Sequence, residues 1–259
     1  MKAIVFDVYT TLIDISTDEE DWHVYDNLAK FLSYRGVYLS ADEVKWFYFE
    51  KIAKQLKNSK EQYPEIDIRR IWYEILSASE NKDVYDLKLN KSTFVKDVAV
   101  LHRALSRKRI RLYPRVFEAL TRLKRSFKLG VVSDAQRCII LPELKMFGIH
   151  DMFDAIVVSS DYGFRKPDGR LFLSCLKKLR VSPEKALFVG NDTFRDIQGA
   201  NFVGMSSVLV MTKYGNKDQS IAKPTFVVNS VAELPGILRS AESKHENRGW
   251  QGRSGERIV

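Results

Sequence analysis

The sequence predicts an α/β fold of the doubly wound type, a mostly parallel sheet with an all-helical segment inserted after its first strand. Three observations predict it. An apolar run, Ile4-Val5-Phe6, leads straight into Asp7 near the start of the 259-residue chain. Residues 15 to about 110 carry helical periodicity with no convincing strand. From Leu112 onward helix and strand signals alternate, the rhythm of βαβ units. This length is enough for one large domain, or for a core with a smaller companion.

Each element has its own local reason. After Asp14, Trp22, Tyr25, Leu28, Ala29, Phe31 and Leu32 recur at helical spacing, and Gly36 is a natural stop. Ser40-Ala41-Asp42-Glu43 has the form of a capping box, and Val44, Phe47, Tyr48, Ile52 and Leu56 continue an apolar stripe behind it. Tyr63-Pro64-Glu65 breaks that helix before a third one carrying Ile68, Ile71, Trp72, Ile75 and Leu76, and Phe94 to Leu105 reads as a fourth. The alternating part then predicts helix over 115–126, strand 129–132, helix 136–147, strand 155–158, helix 170–179 and strand 185–189. A short helix through 197–202, strands 207–211 and 225–228 and a helix ending near Leu238 complete it. Residues 239–259 are polar with little apolar content and are expected to be a disordered tail.

Composition narrows the function classes. With 45% hydrophobic and 29% charged residues, the chain has the make-up of a soluble globular protein. Its net charge of +9 favours acidic or phosphorylated partners, but many of the basic residues fall on helix faces that read as solvated. No aromatic-basic motif supports a nucleic-acid partner. The two cysteines, Cys138 and Cys175, sit in apolar helical patterns without metal-ligand spacing, so buried free thiols and a reducing, cytoplasmic setting are expected. No signal segment precedes the first strand and no apolar run approaches membrane-spanning length, so no membrane partner is expected.

The chemistry is expected at the carboxyl ends of the strands, where open α/β sheets bind ligands. Asp7, Ser133-Asp134, Lys166, Asn191-Asp192 and Asp196 all fall at or just past such ends. A carboxylate held there can attack phosphorus or carbon. Taken singly, each has a plainer reading: Ser133 or Asp134 as a helix cap, Lys166 as a surface lysine, Asp196 as a charge in a helix's first turn.

Their joint order resembles the haloacid dehalogenase-like superfamily from Met1 to about Leu238. Its first motif is similar to Asp7-Val8-Tyr9-Thr10-Thr11, and its second to Val131-Val132-Ser133-Asp134. The third resembles Arg165-Lys166-Pro167-Asp168, and the fourth Val189-Gly190-Asn191-Asp192-Thr193-Phe194-Arg195-Asp196 followed by Gly199-Ala200. The resemblance implies a Rossmann-type core over 1–14 and 112–238 and a helical cap over 15–111, hinged near Ile15 and Leu112. It implies a hydrolase acting on a small phosphorylated molecule, with Asp7 as nucleophile forming an acyl-phosphate and Thr11 orienting it. Ser133 and Lys166 would hold the phosphoryl oxygens, and Tyr9, Thr10 and Asp134 join them as expected substrate contacts, although Asp134 alone reads best as a cap for the helix near Gln136. Mg2+ would be held by Asp7, the Tyr9 carbonyl and Asp196, with Asn191 or Asp192 directly or through water.

One position departs from the phosphatase pattern. Tyr9 stands where phosphatase members carry a second aspartate that protonates the leaving group, a role worth roughly 10²–10⁴-fold in rate. A phenol, with an ordinary pKa of about 10, is poorly matched to that task. Aspartate-X-tyrosine is the pattern of the metal-free 2-haloacid dehalogenases of this superfamily, which would take a halogenated acid, but the acidic Asp192 and Asp196 favour a metal. A catalytically reduced ligand-binding protein is the third reading. A dehalogenase would need an arginine for the substrate carboxylate, and Arg35, Arg69 and Arg70 are available. The aromatics Trp22, Trp46, Phe47, Tyr48, Phe49 and Trp72 read first as packing of a helical bundle and second as a substrate pocket.

Overall fold

The computed structural model describes residues 1–78 and 85–238, and the expected tail lies outside them. β1 (Ala3–Phe6) is followed by β2 (Ile13–Thr17), by four helices, α1 (Trp22–Ser33), α2 (Ala41–Asn58), α3 (Ile68–Ala78) and α4 (Tyr85–Ser106), and by β3 (Arg107–Leu112). The chain then alternates through α5 (Val116–Lys124), β4 (Lys128–Ser133), α6 (Arg137–Met146), β5 (Ala155–Val158), α7 (Gly169–Leu179), β6 (Ala186–Gly190), α8 (Gly199–Phe202), β7 (Ser206–Val210) and β8 (Phe226–Val228). Six parallel strands form one sheet in the order β5-β4-β1-β6-β7-β8.

Helices cover both faces of this sheet, which is why β1 and β6 are apolar at every position and buried throughout. The two-residue period of a strand divides β1 between two cores. Ile4 and Phe6 join a cluster with Leu120, Leu123, Ile140 and Leu144, whereas Ala3 and Val5 join one with Leu171, Phe172, Cys175 and Phe188 on the opposite side. A third core lies among α1 to α4, where Tyr25, Tyr48 and Trp72 are fully buried with Leu28, Ile71 and Val98. Bundle packing thus accounts for Tyr48 and Trp72. Trp22 and Trp46, by contrast, are 48% and 62% exposed.

The expectation that no strand falls between about 15 and 110 needs correction. β2 and β3 pair antiparallel, with Ile13 opposite Leu112 and Asp14 opposite Arg111, so the helical segment is tied to the core by a two-stranded ribbon. The ribbon escaped the hydrophobic pattern because β3 reads Arg-Lys-Arg-Ile-Arg-Leu. Its arginines are useful rather than merely tolerated: Arg109 donates to both Asp14 carboxylate oxygens at 2.9 and 2.7 Å, and Arg111 to one of them at 3.0 Å.

The loop between α2 and α3 fastens the helical segment a second time. Pro64 pairs with Phe164, Glu65 N donates to Gly163 O at 2.9 Å, and Arg165 N donates to Tyr63 O at 2.7 Å. Gln136, ahead of α6, accepts from Ile68 N at 3.0 Å and donates to Ile66 O at 2.8 Å. Ser159 Oγ donates to Glu65 at 2.6 Å. The seam also corrects the reading of Cys138, which is only partly buried because it lies on α6 against the helical cluster rather than inside the sheet's cores. Cys175 is buried, and burial pushes its thiol up to about 12. Among the described residues no helix is long and apolar enough to cross a membrane.

Candidate active site

Asp7 is the first residue past β1, with its amide donating to Val189 O of β6 at 2.9 Å. A tight turn follows, in which Val8 O accepts from Leu12 N at 2.8 Å and Ile13 N at 3.0 Å. Thr10 is held in the left-handed region at φ 61°, a strained conformation for a β-branched residue. Thr10 Oγ1 donates to Tyr9 O at 2.6 Å, and Thr11 Oγ1 to Asp7 Oδ2 at 2.8 Å and to Asn191 Oδ1 at 3.2 Å. Thr11 therefore touches Asp7 itself.

Lys166 draws two strand ends together. Its Nζ donates to Asp7 Oδ1 at 2.7 Å and to Asp196 Oδ1 at 2.6 Å, all three side chains being buried. Burial disfavours the ammonium, but Asp196 and Asp7 outweigh it and hold Lys166 above the ordinary lysine value. Burial is the main cause that raises Asp196, with Lys166 opposing it. Asp196 lies on a single turn of π-helix, Thr193–Gln198, and its Oδ2 accepts from Asn191 N at 2.9 Å and Asp192 N at 3.0 Å. Gly190 makes this fold-back possible, since a Cβ there would meet Asp196 Oδ2 at 2.4 Å.

Asn191 and Asp192 have separate fates. Asn191 Nδ2 donates to Thr10 Oγ1 and Tyr214 O, both at 2.8 Å, which turns Oδ1 toward Thr11 and Asp7. Gly215, at φ 84°, lies so near that a Cβ would meet Asn191 O at 2.4 Å. Asp192 is occupied elsewhere: Oδ1 caps the π-turn through Phe194 N at 3.0 Å and Arg195 N at 2.8 Å, and Oδ2 accepts from Asn216 N at 3.0 Å and Arg195 Nη2 at 3.1 Å. Of the two candidates for the metal, Asn191 is the one linked to Asp7, through the Thr11 hydroxyl. The single proton of Thr11 is shared between Asp7 Oδ2 and Asn191 Oδ1, an excess of acceptors that suits a small hard cation. Among the described residues no three His, Cys, Asp or Glu side chains form a metal-type cluster, so that donor set relies on neutral oxygens.

Ser133 ends β4, buried, with an Oγ that has no partner among the described residues. Asp134 does not cap α6 as the sequence suggested. That helix start is served instead by Ser159 Oγ, which accepts from Ala135 N at 2.8 Å, and Ser160 Oγ, which accepts from Arg137 N at 3.0 Å. Asp134 Oδ1 accepts from Lys166 N at 2.9 Å, and its Oδ2 is buried and unpartnered among the described residues.

Tyr9 points at the seam. Its hydroxyl donates to Glu143 of α6, its ring lies 5.1 Å beneath the guanidinium of Arg103 of α4, and Arg103 Nε donates to the other Glu143 oxygen at 3.0 Å. Burial and the Glu143 charge hold the phenol well above its ordinary pKa. A cavity of about 350 Å³ opens here between the helical segment and the core, and Tyr9, Tyr48, His102, Arg103, Asp134 and Arg195 are among its lining residues. The arginines expected for a substrate carboxylate lie elsewhere: Arg70 pairs with Glu74, Arg69 with Asp67, and Arg35 stacks over Phe94. Sequence reasoning missed Arg103, Glu143, Arg165 and Arg195. The last two flank recognised motif residues, which was a usable signal, whereas nothing in the sequence joins Arg103 to Glu143.

The sequence profile of the haloacid dehalogenase-like hydrolases matches residues 4–210. A glyceraldehyde 3-phosphate phosphatase of Methanothermobacter thermautotrophicus is 31% identical over 134 residues, 50% of this chain and 59% of the relative. An N-acylneuraminate-9-phosphatase of Rattus norvegicus is 30% identical over 126 residues, 48% of this chain and 51% of the relative. The chain thus matches somewhat over half the length of these curated relatives. Among solved structures, a HAD phosphatase from Thermococcus onnurineus superposes with a TM-score of 0.58 at 24% identity, covering 92% of this chain and 98% of the other. A 2-haloacid dehalogenase from Pseudomonas syringae superposes with a TM-score of 0.63 at 20% identity, covering 93% and 99%. At such identities these two likenesses establish the fold alone.

Proposed function

The chain belongs to the haloacid dehalogenase-like hydrolase family, and from that premise we propose that it hydrolyses small phosphate monoesters through an aspartyl-phosphate at Asp7. The observation that carries this reading is the buried Ser133 Oγ at the end of β4, unpartnered among the described residues and next to the residue that binds Lys166 N. A phosphoryl oxygen would satisfy that hydroxyl, and the charged Lys166 would oppose the negative charge that develops on it. Asp7 Oδ, kept in place by Thr11 and Lys166, is the nucleophile. The phosphatases among the relatives point the same way.

Magnesium fits the oxygen donors present, and Asp7, the Tyr9 carbonyl and Asn191 Oδ1 would hold it, with Asp196 adjacent through Lys166. When bound, it would offset repulsion between the Asp7 carboxylate and the incoming phosphate. Asp192 is better assigned to the π-turn cap than to the metal.

The test is release of inorganic phosphate from p-nitrophenyl phosphate and a panel of small phosphate esters, with and without magnesium. Asp7→Asn is expected to lower turnover by about 10³-fold or more. Equal turnover in the two proteins would overturn the reading. A second reading, hydrolytic dehalogenation, is favoured by Tyr9 in the first motif, and chloride release from a 2-chloro acid with no phosphate release would establish it instead.

A further inference from the structure

If the phosphatase reading holds, the leaving oxygen needs a proton, and Tyr9 is badly placed to give one. Its hydroxyl already donates to Glu143, and burial and that carboxylate both strengthen its hold on the proton. An in-line displacement puts the leaving group opposite Asp7, with the phosphoryl group between them. With Ser133 and Lys166 gripping the phosphoryl oxygens, the rest of the substrate must lie in the space between core and helical segment. Two cavities open there, one lined by Tyr9, Arg103, Asp134 and Arg195 and one of about 720 Å³ lined by Lys166, Asp192 and Arg195, and Asp134 lies on the first.

We propose that Asp134 is the general acid and base of this enzyme, doing from the end of β4 what residue 9 cannot do from the end of β1. Its carboxyl is fixed through one oxygen only, to Lys166 N at 2.9 Å, its other oxygen is buried without a partner among the described residues, and the residue is one of those that line the cavity. An ionised, half-satisfied carboxylate in such a position is costly, whereas a protonated one is a donor waiting for an acceptor. The charged groups around it are Lys166 and Arg195, which favour the carboxylate, and Asp7 and Glu65, which disfavour it. Burial is the largest influence, and the balance raises Asp134 above the usual carboxylate range. A bound phosphate adds further negative charge beside it and pushes in the same direction.

The reaction takes two steps. In the first, Asp7 Oδ bonds to phosphorus, the bond from phosphorus to the ester oxygen breaks, and the Asp134 proton passes to that oxygen to give a neutral alcohol. In the second, the Asp134 carboxylate takes a proton from water as the water oxygen bonds to phosphorus. The bond from phosphorus to Asp7 breaks, releasing inorganic phosphate and regenerating protonated Asp134.

The experiment compares the wild-type 259-residue chain with Asp134→Asn and Asp134→Glu on ethyl phosphate, whose ethoxide is a poor leaving group, and p-nitrophenyl phosphate, whose phenolate departs without protonation. In Asp134→Asn, ethyl phosphate turnover is expected to fall about 10²–10⁴-fold. With p-nitrophenyl phosphate the same variant should release one equivalent of phenolate and then stall, because the second step has lost its base. Mass spectrometry should then find a phosphoryl group retained on the Asp7 peptide, and Asp134→Glu should restore part of the turnover. An equal fall for both esters with no retained phosphoryl group would make Asp134 a structural residue and overturn the assignment, as would unchanged turnover of ethyl phosphate. Failure of the wild-type chain to hydrolyse either ester would remove the phosphatase reading itself, and the role of Asp134 with it.

Discussion

Asn191 illustrates how much a single residue settles in this site. Its amide nitrogen is committed to Thr10 and Tyr214, so its oxygen has one direction left, toward Thr11 and Asp7. A carboxylate in the same place would carry the full charge that a divalent cation seeks. Asn191→Asp is therefore expected to tighten magnesium binding about tenfold, or 1.4 kcal/mol, in calorimetric titration of the protein with magnesium chloride. An unchanged affinity would remove residue 191 from the metal's surroundings. Sequence motifs pointed to Asp7, Thr11, Ser133, Lys166 and Asp196, and the fold brings these strand ends onto one edge, because neighbouring parallel strands end together. What the motifs could not convey is where each carboxyl spends its hydrogen bonds. Asp134 and Asp192 both follow strands, yet Asp192 caps a helical turn and Asp134 does not.

Among the elements, the helices announced themselves by periodicity and caps, and the Ser40 and Glu43 box forms as its sequence suggests. The ribbon did not, since four of the six residues of β3 are basic and only Ile110 and Leu112 are apolar, and its arginines are held by Asp14 from the opposite strand. The loop from Tyr63 to Ile68 was equally hidden, because its partners lie about a hundred residues away in sequence. Gln136 anchors that loop with two hydrogen bonds. Gln136→Ala leaves Ile68 N and Ile66 O without those partners, and a loss of about 1–3 kcal/mol in urea unfolding is expected. Faster hydrogen exchange at the Ile68 amide should accompany it. Exchange as slow as in the wild type would show that the loop is held by its backbone pairing alone.

At the scale of the whole molecule, the described residues form cores of different character, two of them flanking the sheet and one inside the helical segment. The last contains His102, 1% exposed, with the rings of Tyr48 at 4.4 Å and Trp72 at 5.6 Å. Burial lowers its pKa to about 4, so the folded protein keeps the ring neutral where an unfolded chain would take up a proton. Stability from this source is complete above about pH 6.5 and declines as pH falls toward 4, by at most roughly 3 kcal/mol. Urea unfolding at pH 7 and pH 4.5 should show the wild type losing more stability than His102→Phe, and equal losses would assign the acid sensitivity to other groups. The placement of Ile13 opposite Leu112 has a wider consequence. Because the chain departs and returns at one spot, a different stretch between them would leave the register of β1 against β4 and β6 in place. Any replacement would need a loop able to grip Gln136 and the Gly163–Arg165 backbone, as the segment from Tyr63 to Ile68 does here.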